Sequence, residues 1–179
     1  RKGLTGENPS VGCVIVKNNN IISFGQTGIN GTPHAEYNAI KNCKKDIKGS
    51  TLYVTLEPCT HFGKTSPCTK IIIESKIKKV VYAINDIDKR TANKAYKILK
   101  LRKIKVKKNI LNNEAKNLYK PYILNKIKKI PYVTGKIACS KDLFIKSTKD
   151  NITNKHSRKV SHLLRYHNNG ILISSKTLN

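Results

Sequence analysis

Three side chains of the kinds that bind zinc lie within one short stretch of this chain, and they constrain its fold more than any other feature. His34, Cys59 and Cys68 each directly follow a proline. Zinc takes imidazole and thiolate ligands tetrahedrally, and a catalytic site keeps three protein ligands and one open position. The fold must therefore bring these three positions together if they share an ion. The sequence predicts one bound Zn²⁺ per chain.

A carboxylate lies two residues beyond the histidine, at Glu36. Zinc with an open position lowers the pKa of a water to about 7, and a carboxylate beside the metal can carry protons to a departing amine. His-x-Glu followed by Pro-Cys and a second Cys is the signature of zinc deaminases. His34 and Cys68 each fall at a predicted helix start, where the positive helix end favours thiolate over thiol. The sequence thus predicts His34, Cys59 and Cys68 as metal ligands and Glu36 as the catalytic group.

A closed structural zinc site is the alternative, and it needs a fourth protein ligand. Glu57, His61 or Cys43 can be proposed for that position, but none has the spacing of an ordinary zinc finger. An odd number of cysteines without a signal peptide argues against a disulfide framework and for a reducing compartment. Cys13, Cys43 and Cys139 lie in apolar patterns, which predicts that they are small buried hydrophobes.

The order of predicted elements indicates a layered α/β fold with an antiparallel hairpin at one edge of its sheet. Apolar alternation predicts strands, and apolar residues at helical spacing predict helices. Strand, helix, strand order implies parallel pairing. The predicted strands are 11–17, 21–26, 51–56, 79–84 and 104–107, and the predicted helices are 34–45, 68–75 and 92–101.

The character of the chain changes after Asn112. A lysine-rich amphipathic connector, partly helical and interrupted by Pro121, is predicted as far as Lys129. A strand over 132–139, a helix over 154–167 and a strand over 170–174 are predicted beyond it. We therefore expect a first domain over residues 1–125 and a second, α/β domain beginning in residues 126–179.

The loop between the two cysteines carries a resemblance to a known family. Eight residues, 60–67, separate Cys59 from Cys68, and the run resembles the Pro-Cys-x-His-x-Gly-(Arg/Lys)-Thr-x-Pro-Cys loop of the bifunctional riboflavin-biosynthesis deaminase/reductase family. The stretch Asn8-Pro9-Ser10-Val11-Gly12 is similar to that family's Asn-Pro-x-Val-Gly stretch. The likeness covers residues 1 to about 120 and implies a cytidine-deaminase-like, three-layer α/β/α domain.

The resemblance also implies a substrate. The family deaminates 2,5-diamino-6-(5-phosphoribosylamino)pyrimidin-4-one to 5-amino-6-(5-phosphoribosylamino)uracil with one zinc ion. Asn8, His61 and Lys64 would then be substrate contacts. Lys64 supplies a cation, and Thr65 with the backbone N–H groups near Gly63 can donate to a phosphate.

Residues 132–142 resemble the opening strand of the family's dihydrofolate-reductase-like domain, which reduces the ribosyl group with NADPH. The alignment puts Ala138 and Thr177 at cofactor contacts and Arg165 at a substrate contact. The sequence departs from the family at Leu143 for a glycine, Lys149 for a serine, Asn151 for a tryptophan and Asn169 for an aspartate. Both ends look fragmentary, which suggests part of a longer protein with an incomplete reductase domain.

The net charge of +26 invites a nucleic-acid interpretation. The cations are nearly all lysines scattered along the chain among Asn and Ile, which favours a compositionally biased, solvated surface. We expect a small phosphorylated pyrimidine as the partner and no specific nucleic acid. No signal peptide or run of about 20 apolar residues is present, so we expect a cytoplasmic protein without a membrane span. A homo-oligomer is compatible with the sequence.

Two other functions fit part of the pattern. A tRNA or nucleoside deaminase fits the charge, but it generally has two residues between its cysteines, and no aromatic-rich strand for stacking bases is present. A catalytically inactive, zinc-stabilised RNA-binding module also fits the charge, but it would have no use for Glu36.

Overall fold

The computed structural model describes residues 2–63, 65–145 and 152–175. The chain divides into two compact units between Tyr132 and Val133. In the first unit the elements are β1 (Gly12–Lys17), β2 (Asn20–Gln26), a 3₁₀ turn (Ile29–Gly31), α1 (Ala35–Lys41), β3 (Thr51–Val54), α2 (Cys68–Glu74), β4 (Lys79–Tyr82), α3 (Lys94–Leu101), β5 (Lys105–Lys108) and α4 (Asn112–Lys128). In the second unit α5 spans Lys155–Tyr166.

The first two strands form the predicted hairpin. Lys17 pairs with Asn20, so the loop consists of two residues, Asn18 and Asn19, rather than the three predicted. Their φ angles are 49° and 59°. Positive φ at both central positions matches the twist of a β-hairpin, and asparagine tolerates this conformation better than most residues.

The five strands form one sheet in the order β2-β1-β3-β4-β5. β1 is antiparallel to both β2 and β3, whereas β3, β4 and β5 run parallel. The prediction of an α/β fold with a hairpin at one edge of the sheet and parallel pairing beyond it is confirmed. The carboxyl ends of β3 and β4 lie at the same edge of the sheet, so the segments that follow them meet there.

One sheet face and the helices α1 to α3 enclose the main core. Alternate residues of neighbouring strands point into it, among them Ile15, Leu52 and Val80, which are fully buried. A smaller cluster joins α4 to the loops beyond β3 and β4 through Leu56, Ile84, Ala115 and Tyr119. The loops that follow the parallel strands are therefore fixed to packed side chains.

Small residues let α1 lie very close to the hairpin. Gly25 of β2 faces the backbone of Ala35 and Ala39, and a Cβ at Gly25 would collide with both. Ala35 and Ala39 are fully buried. This close approach holds the first turn of α1, which carries Glu36 and directly follows His34, against the sheet.

The segment predicted as an interrupted connector is one continuous helix, α4, with Pro121 inside it. The predicted helical character is confirmed, whereas the interruption predicted at Pro121 was wrong. Proline removes one backbone donor and normally kinks or breaks a helix. Pro121 lies on the exposed side of α4, as does Asn117 four residues earlier, so the carbonyl left without a helical partner can bind water. Packing of Ala115 and Tyr119 on the other side stabilises the helix.

In the second unit, the helix predicted over 154–167 is confirmed as α5, capped by the Asn154 side chain, which accepts from the backbone N–H of Ser157 at 2.9 Å. The strands predicted over 132–139 and 170–174 were wrong, because neither segment is a strand. A strand persists only where a neighbour pairs its backbone groups, and within the described part of the chain neither segment has one. The start of a second α/β domain is not visible there.

No helix in the described ranges is long and apolar enough to cross a membrane. The longest among them, α4, has 17 residues, and its sequence NNEAKNLYKPYILNKIK contains lysines throughout.

The hydroxyl of Tyr119 joins α4 to the sheet. It lies 2.6 Å from Oγ1 of Thr55, which also accepts the backbone N–H of Gly12. We expect Tyr119→Phe to lower the free energy of unfolding by about 1 kcal/mol, the usual net value of one hydrogen bond. Urea denaturation followed by circular dichroism measures this. Tyr53→Phe, at a half-exposed tyrosine of β3, is the control, and an equal loss in both variants would contradict the assignment.

Candidate metal centre and active site

The structure brings the three predicted metal ligands together at the carboxyl edge of the sheet. His34 directly precedes α1, Cys59 lies in the loop after β3, and Cys68 is the first residue of α2. His34 Nδ1 lies 3.4 Å from Cys59 Sγ and 3.3 Å from Cys68 Sγ. The three ligand atoms lie within 4.8 Å of one another. One nitrogen and two sulfurs form the donor set of a zinc site with an open position.

The electrostatics of the cluster favour a bound cation. The Cys68 thiol, followed by His34 and the backbone N–H of Cys68, stabilises the Cys59 thiolate and lowers its pKa to about 4. The neighbouring Cys59, together with burial and the charge of Glu36, raises the pKa of Cys68 well above its usual value. A second thiolate beside the first is thus unfavourable for the protein alone. A divalent cation between the two sulfurs offsets that repulsion, so the residues present fit zinc.

Glu36 lies in the first turn of α1 and is buried. Burial, and after it the negative charge on Cys59, raises the pKa of its carboxyl to about 7. Glu36 does not belong to the compact group of three ligand atoms. Its carboxyl nevertheless interacts with the sulfur atoms of Cys59 and Cys68, so it lies beside the ligands. In the metal-free protein its pKa allows both the protonated and the ionised carboxyl near neutral pH.

The residues considered as a fourth ligand are engaged elsewhere. The Glu57 carboxylate accepts three backbone N–H groups, and Nδ1 of His61 pairs with the hydroxyl of Thr91. The Cys43 thiol donates to the backbone carbonyls of Ile22 in β2 and of Lys45. Among the residues that the structure describes, the metal group stays at three members, as an open site requires.

A cavity of about 450 Å³ opens beside the cluster. His34, Glu36, Asn8 and His61 line it. The amide of Asn8 donates to the carbonyl of Gly31 at 3.2 Å. Gly31 has a φ of 88°, and a Cβ there would collide with the Asn8 side chain, so the glycine is needed to seat Asn8 at the cavity.

The opposite wall of this cavity was not predicted from the sequence. Asp86, Asp88, Arg90 and Tyr122 line it together with Lys126 of α4. The Asp86 carboxylate accepts the Tyr122 hydroxyl at 3.1 Å, and Arg90 forms an ion pair of two-pronged geometry with Asp88. Ligands of open α/β sheets bind beyond the carboxyl ends of the strands. Asp86 follows β4 at that edge, and this position was the available signal.

The sequence predicts four further contacts, at Lys64, Ala138, Arg165 and Thr177. Lys64 and Thr177 lie outside the described residues. Ala138 and Arg165 belong to the second unit, where Ala138 is half-buried in a segment without helix or strand and Arg165 is exposed in the last turn of α5. Their roles stay predictions. Cys13 is buried as predicted and Cys43 is half-buried, but Cys139 is exposed because no strand forms around it.

The fold and the ligand geometry define the class of the first unit. Residues 1–84 match the family model described as the cytidine and deoxycytidylate deaminase zinc-binding region. The first unit thus has a cytidine-deaminase-like fold, and most of it is similar to that zinc-binding region.

Comparison with particular proteins confirms the resemblance found in the sequence. The chain is 40% identical to the riboflavin biosynthesis protein RibD of Aquifex aeolicus, over 99% of the chain and 51% of that protein. It is 34% identical to RibD of Escherichia coli, over 97% and 48%.

A solved structure agrees with these relatives. The diaminohydroxyphosphoribosylaminopyrimidine deaminase/5-amino-6-(5-phosphoribosylamino)uracil reductase of Thermotoga maritima superposes with a TM-score of 0.81 at 39% identity, over 90% of this chain and 48% of that one. The chain therefore spans about half the length of the relatives it matches.

Removal of one sulfur tests the metal centre. We expect Cys59→Ser and Cys68→Ser each to lose bound zinc, because two remaining protein ligands hold the ion too weakly. Cys139→Ser, which changes an exposed cysteine of the second unit, should keep it. Zinc content of the purified proteins by atomic absorption is the measurement. Retention of stoichiometric zinc in either site variant would contradict the ligand assignment.

The raised pKa of Glu36 predicts a pH-dependent stability in the metal-free protein. A carboxyl whose pKa rises from 4.5 to about 7 on folding holds its proton more strongly when folded, so stability falls as the pH rises through this range. Glu36→Gln removes that loss. We compare the free energy of unfolding of the variant with that of the parent protein at each pH. The difference in favour of the variant should be larger at pH 8 than at pH 4 by roughly 3 kcal/mol.

Urea titration of both proteins in the presence of a chelator at the two pH values measures this difference. Glu74→Gln, at an exposed glutamate of α2, is the control. Its difference in unfolding free energy from the parent protein should be nearly the same at pH 4 and pH 8. A Glu36→Gln effect that is equal at pH 4 and pH 8 would show that burial does not raise this pKa.

Proposed function

We propose that this chain catalyses the hydrolytic deamination of 2,5-diamino-6-(5-phosphoribosylamino)pyrimidin-4-one in riboflavin biosynthesis. The observation that carries the proposal is the buried Glu36 carboxyl beside three converging metal ligands, in a cavity open to a small molecule. A purely structural zinc site has no need of this carboxyl, whereas deamination needs a group that both accepts and donates a proton.

His34, Cys59 and Cys68 would hold the zinc, which when bound lowers the pKa of a water to about 7 and so supplies the nucleophile. The water oxygen forms a bond to the ring carbon, and the bond from that carbon to the exocyclic nitrogen breaks. Glu36 would move one proton of the water to the adjacent ring nitrogen and the other to the departing nitrogen, so that the new C–O bond becomes a carbonyl and the nitrogen leaves as ammonia. Burial raises the pKa of this carboxyl, and a raised pKa suits a group that both accepts and donates a proton near neutral pH.

The cavity supports a substrate of this size and polarity. Its volume of about 450 Å³ is within the range of small-molecule sites. Asn8 and His61 reach it with hydrogen-bonding groups, as expected of substrate contacts. We assign the phosphate to Lys64 on the strength of the loop sequence, with Thr65, which lines the cavity, beside it. The name of the Thermotoga relative refers to a phosphoribosylaminopyrimidine that is deaminated and to a phosphoribosylaminouracil that is reduced, which are the classes of the substrate and the product proposed for this chain.

Further properties of the relatives extend to this chain only as proposals. We propose NADPH-dependent reduction for a protein that also contains the remaining half of its relatives' length, with Ala138, Arg165 and Thr177 as contacts. We place the protein in the cytoplasm, as a homo-oligomer, without a specific nucleic-acid partner. The scattered lysines support the last point.

Release of ammonia from a panel of substrates tests the proposal. The zinc-loaded protein should deaminate the phosphoribosylamino-diaminopyrimidinone and leave cytidine, dCMP and adenosine-containing tRNA unchanged. The dephosphorylated substrate should bind more weakly by about 10- to 150-fold, which corresponds to one charge-assisted contact of 1.5–3 kcal/mol. Turnover of tRNA or a nucleoside in preference to the diaminopyrimidinone would contradict the proposed function and show that the protein is a tRNA or nucleoside deaminase.

Substitution of Glu36 separates catalysis from metal binding. We expect Glu36→Gln to keep full zinc but to lose deamination by at least about 100-fold, because general acid–base catalysis contributes 10²–10⁴-fold. Zinc content and the rate of ammonia release are measured on the same preparation. Glu74→Gln serves as the matched control. Loss of the metal, or turnover within a few-fold of the parent protein, would remove Glu36 from the proposed role.

A further inference from the structure

The loop that carries Cys59 is joined by side-chain hydrogen bonds to a second segment, residues 86–95, on the other side of the cavity. We call residues 86–95 the brace. The Glu57 carboxylate accepts the backbone N–H groups of Asp86, Asn93 and Ala95 at 3.1, 3.0 and 3.1 Å. Glu57 is buried, with 3% of its surface exposed. One carboxylate thus fixes both ends of the brace.

Two further bonds join the middle of the brace to the loop. The Thr60 hydroxyl donates to the carbonyl of Arg90 at 3.2 Å. The Thr91 hydroxyl lies 3.0 Å from Nδ1 of His61. Thr91 is fully buried, so its hydroxyl has no access to bulk water. Within the described residues, its hydrogen-bond partner is the imidazole of His61. His61 lies on a loop with exposed neighbours, where an imidazole would otherwise turn freely.

We propose that Glu57 and Thr91 are positioning residues for the substrate-binding imidazole of His61. The brace, anchored by Glu57, carries the Thr91 hydroxyl to Nδ1 of His61, and this contact sets the direction in which the remaining ring nitrogen faces the cavity. The proposal rests on the proposed function for the role of His61. The contact between Thr91 and His61 stands independently of it.

The proposal explains why a buried carboxylate lies so close to the metal ligands without joining them. Three backbone N–H groups occupy three of the roughly four acceptor positions of its two oxygens, and Glu57 does not belong to the group of metal-ligand atoms. A carboxylate that accepts several N–H groups holds loops in place because each bond to a charged acceptor is stronger than a neutral one. Glu57 therefore acts on the cavity through the brace.

Variants of Thr91 give the sharper test, since valine keeps its shape without the hydroxyl and serine keeps the hydroxyl. In the zinc-loaded protein we expect Thr91→Val to retain zinc and to raise KM about 10-fold, the effect of one lost hydrogen bond, with kcat changed by less than about threefold. Thr91→Ser should restore KM to within about twofold of the parent value. Ser23→Ala is the control for a buried hydroxyl remote from the cavity, because its hydroxyl bonds to Ala39 of α1, and it should leave KM unchanged.

A KM unaltered by Thr91→Val, or no rescue by serine, would overturn the proposal. Loss of zinc in the valine variant would overturn it as well, because the contact would then support the metal rather than the substrate. Glu57→Gln should raise KM in the same direction. The double variant Glu57→Gln/Thr91→Val should fall short of the product of the single effects, because both act through His61. Independent effects that multiply would contradict a common route.

Nuclear magnetic resonance distinguishes a failure of this inference from a failure of the proposed function. The ring nitrogen resonances of His61 should move in Thr91→Val and return in Thr91→Ser, while those of His34 stay in place. This readout needs no substrate. If the parent protein does not deaminate the diaminopyrimidinone but these resonances respond as described, the proposed function fails and the positioning contact stands. If the His61 resonances do not respond, the positioning role is wrong.

Discussion

The site depends on the balance of charge in one cluster at the edge of the sheet. The cluster contains the sulfur atoms of Cys59 and Cys68, an imidazole and a buried carboxyl. Cys59 and Cys68 cannot both be anionic next to Glu36 without a compensating positive charge, which is visible in the opposed directions of the two cysteine pKa values. A divalent cation removes the conflict and makes the cluster favourable. In the proposed function, the same ion gives the neighbouring carboxyl its role in proton transfer.

The fold supplies this cluster from rigid parts. His34 and Glu36 are held by α1, which approaches the hairpin closely at Gly25. Cys59 follows β3, and Cys68 begins α2, with its backbone N–H donating to Cys59 Sγ at 3.2 Å. The parallel pairing of β3 and β4 then places a second loop across the cavity from the metal ligands. Functional groups thus come from loops and from the first turns of helices, and the packed helices and strands fix their positions.

Much of this arrangement could be predicted from the sequence because the determining patterns are local. The hairpin follows from alternation and an asparagine turn, and the ligands from residue type, order and flanking prolines. Residues of the opposite wall, such as Asp86 and Tyr122, form no motif in the sequence. Only the position of Asp86 after β4 indicates its place, because the sheet order brings this wall to the cavity. The brace was missed for the same reason, since its bonds join positions about 30 residues apart. The strands expected after Tyr132 failed because strand formation depends on a paired neighbour, which an alternating pattern alone does not supply.

We infer that three protein ligands hold the metal and that its fourth coordination position stays open for water or substrate. X-ray absorption at the zinc edge of the purified protein tests it most directly, because the scattering distances separate sulfur from lighter ligands at about 2.3 and 2.0 Å. We predict two sulfurs and two light atoms, one from imidazole and one that is exchanged when a substrate or inhibitor binds. A shell of three or four sulfurs, or a fourth protein ligand unaffected by any bound molecule, would contradict the account.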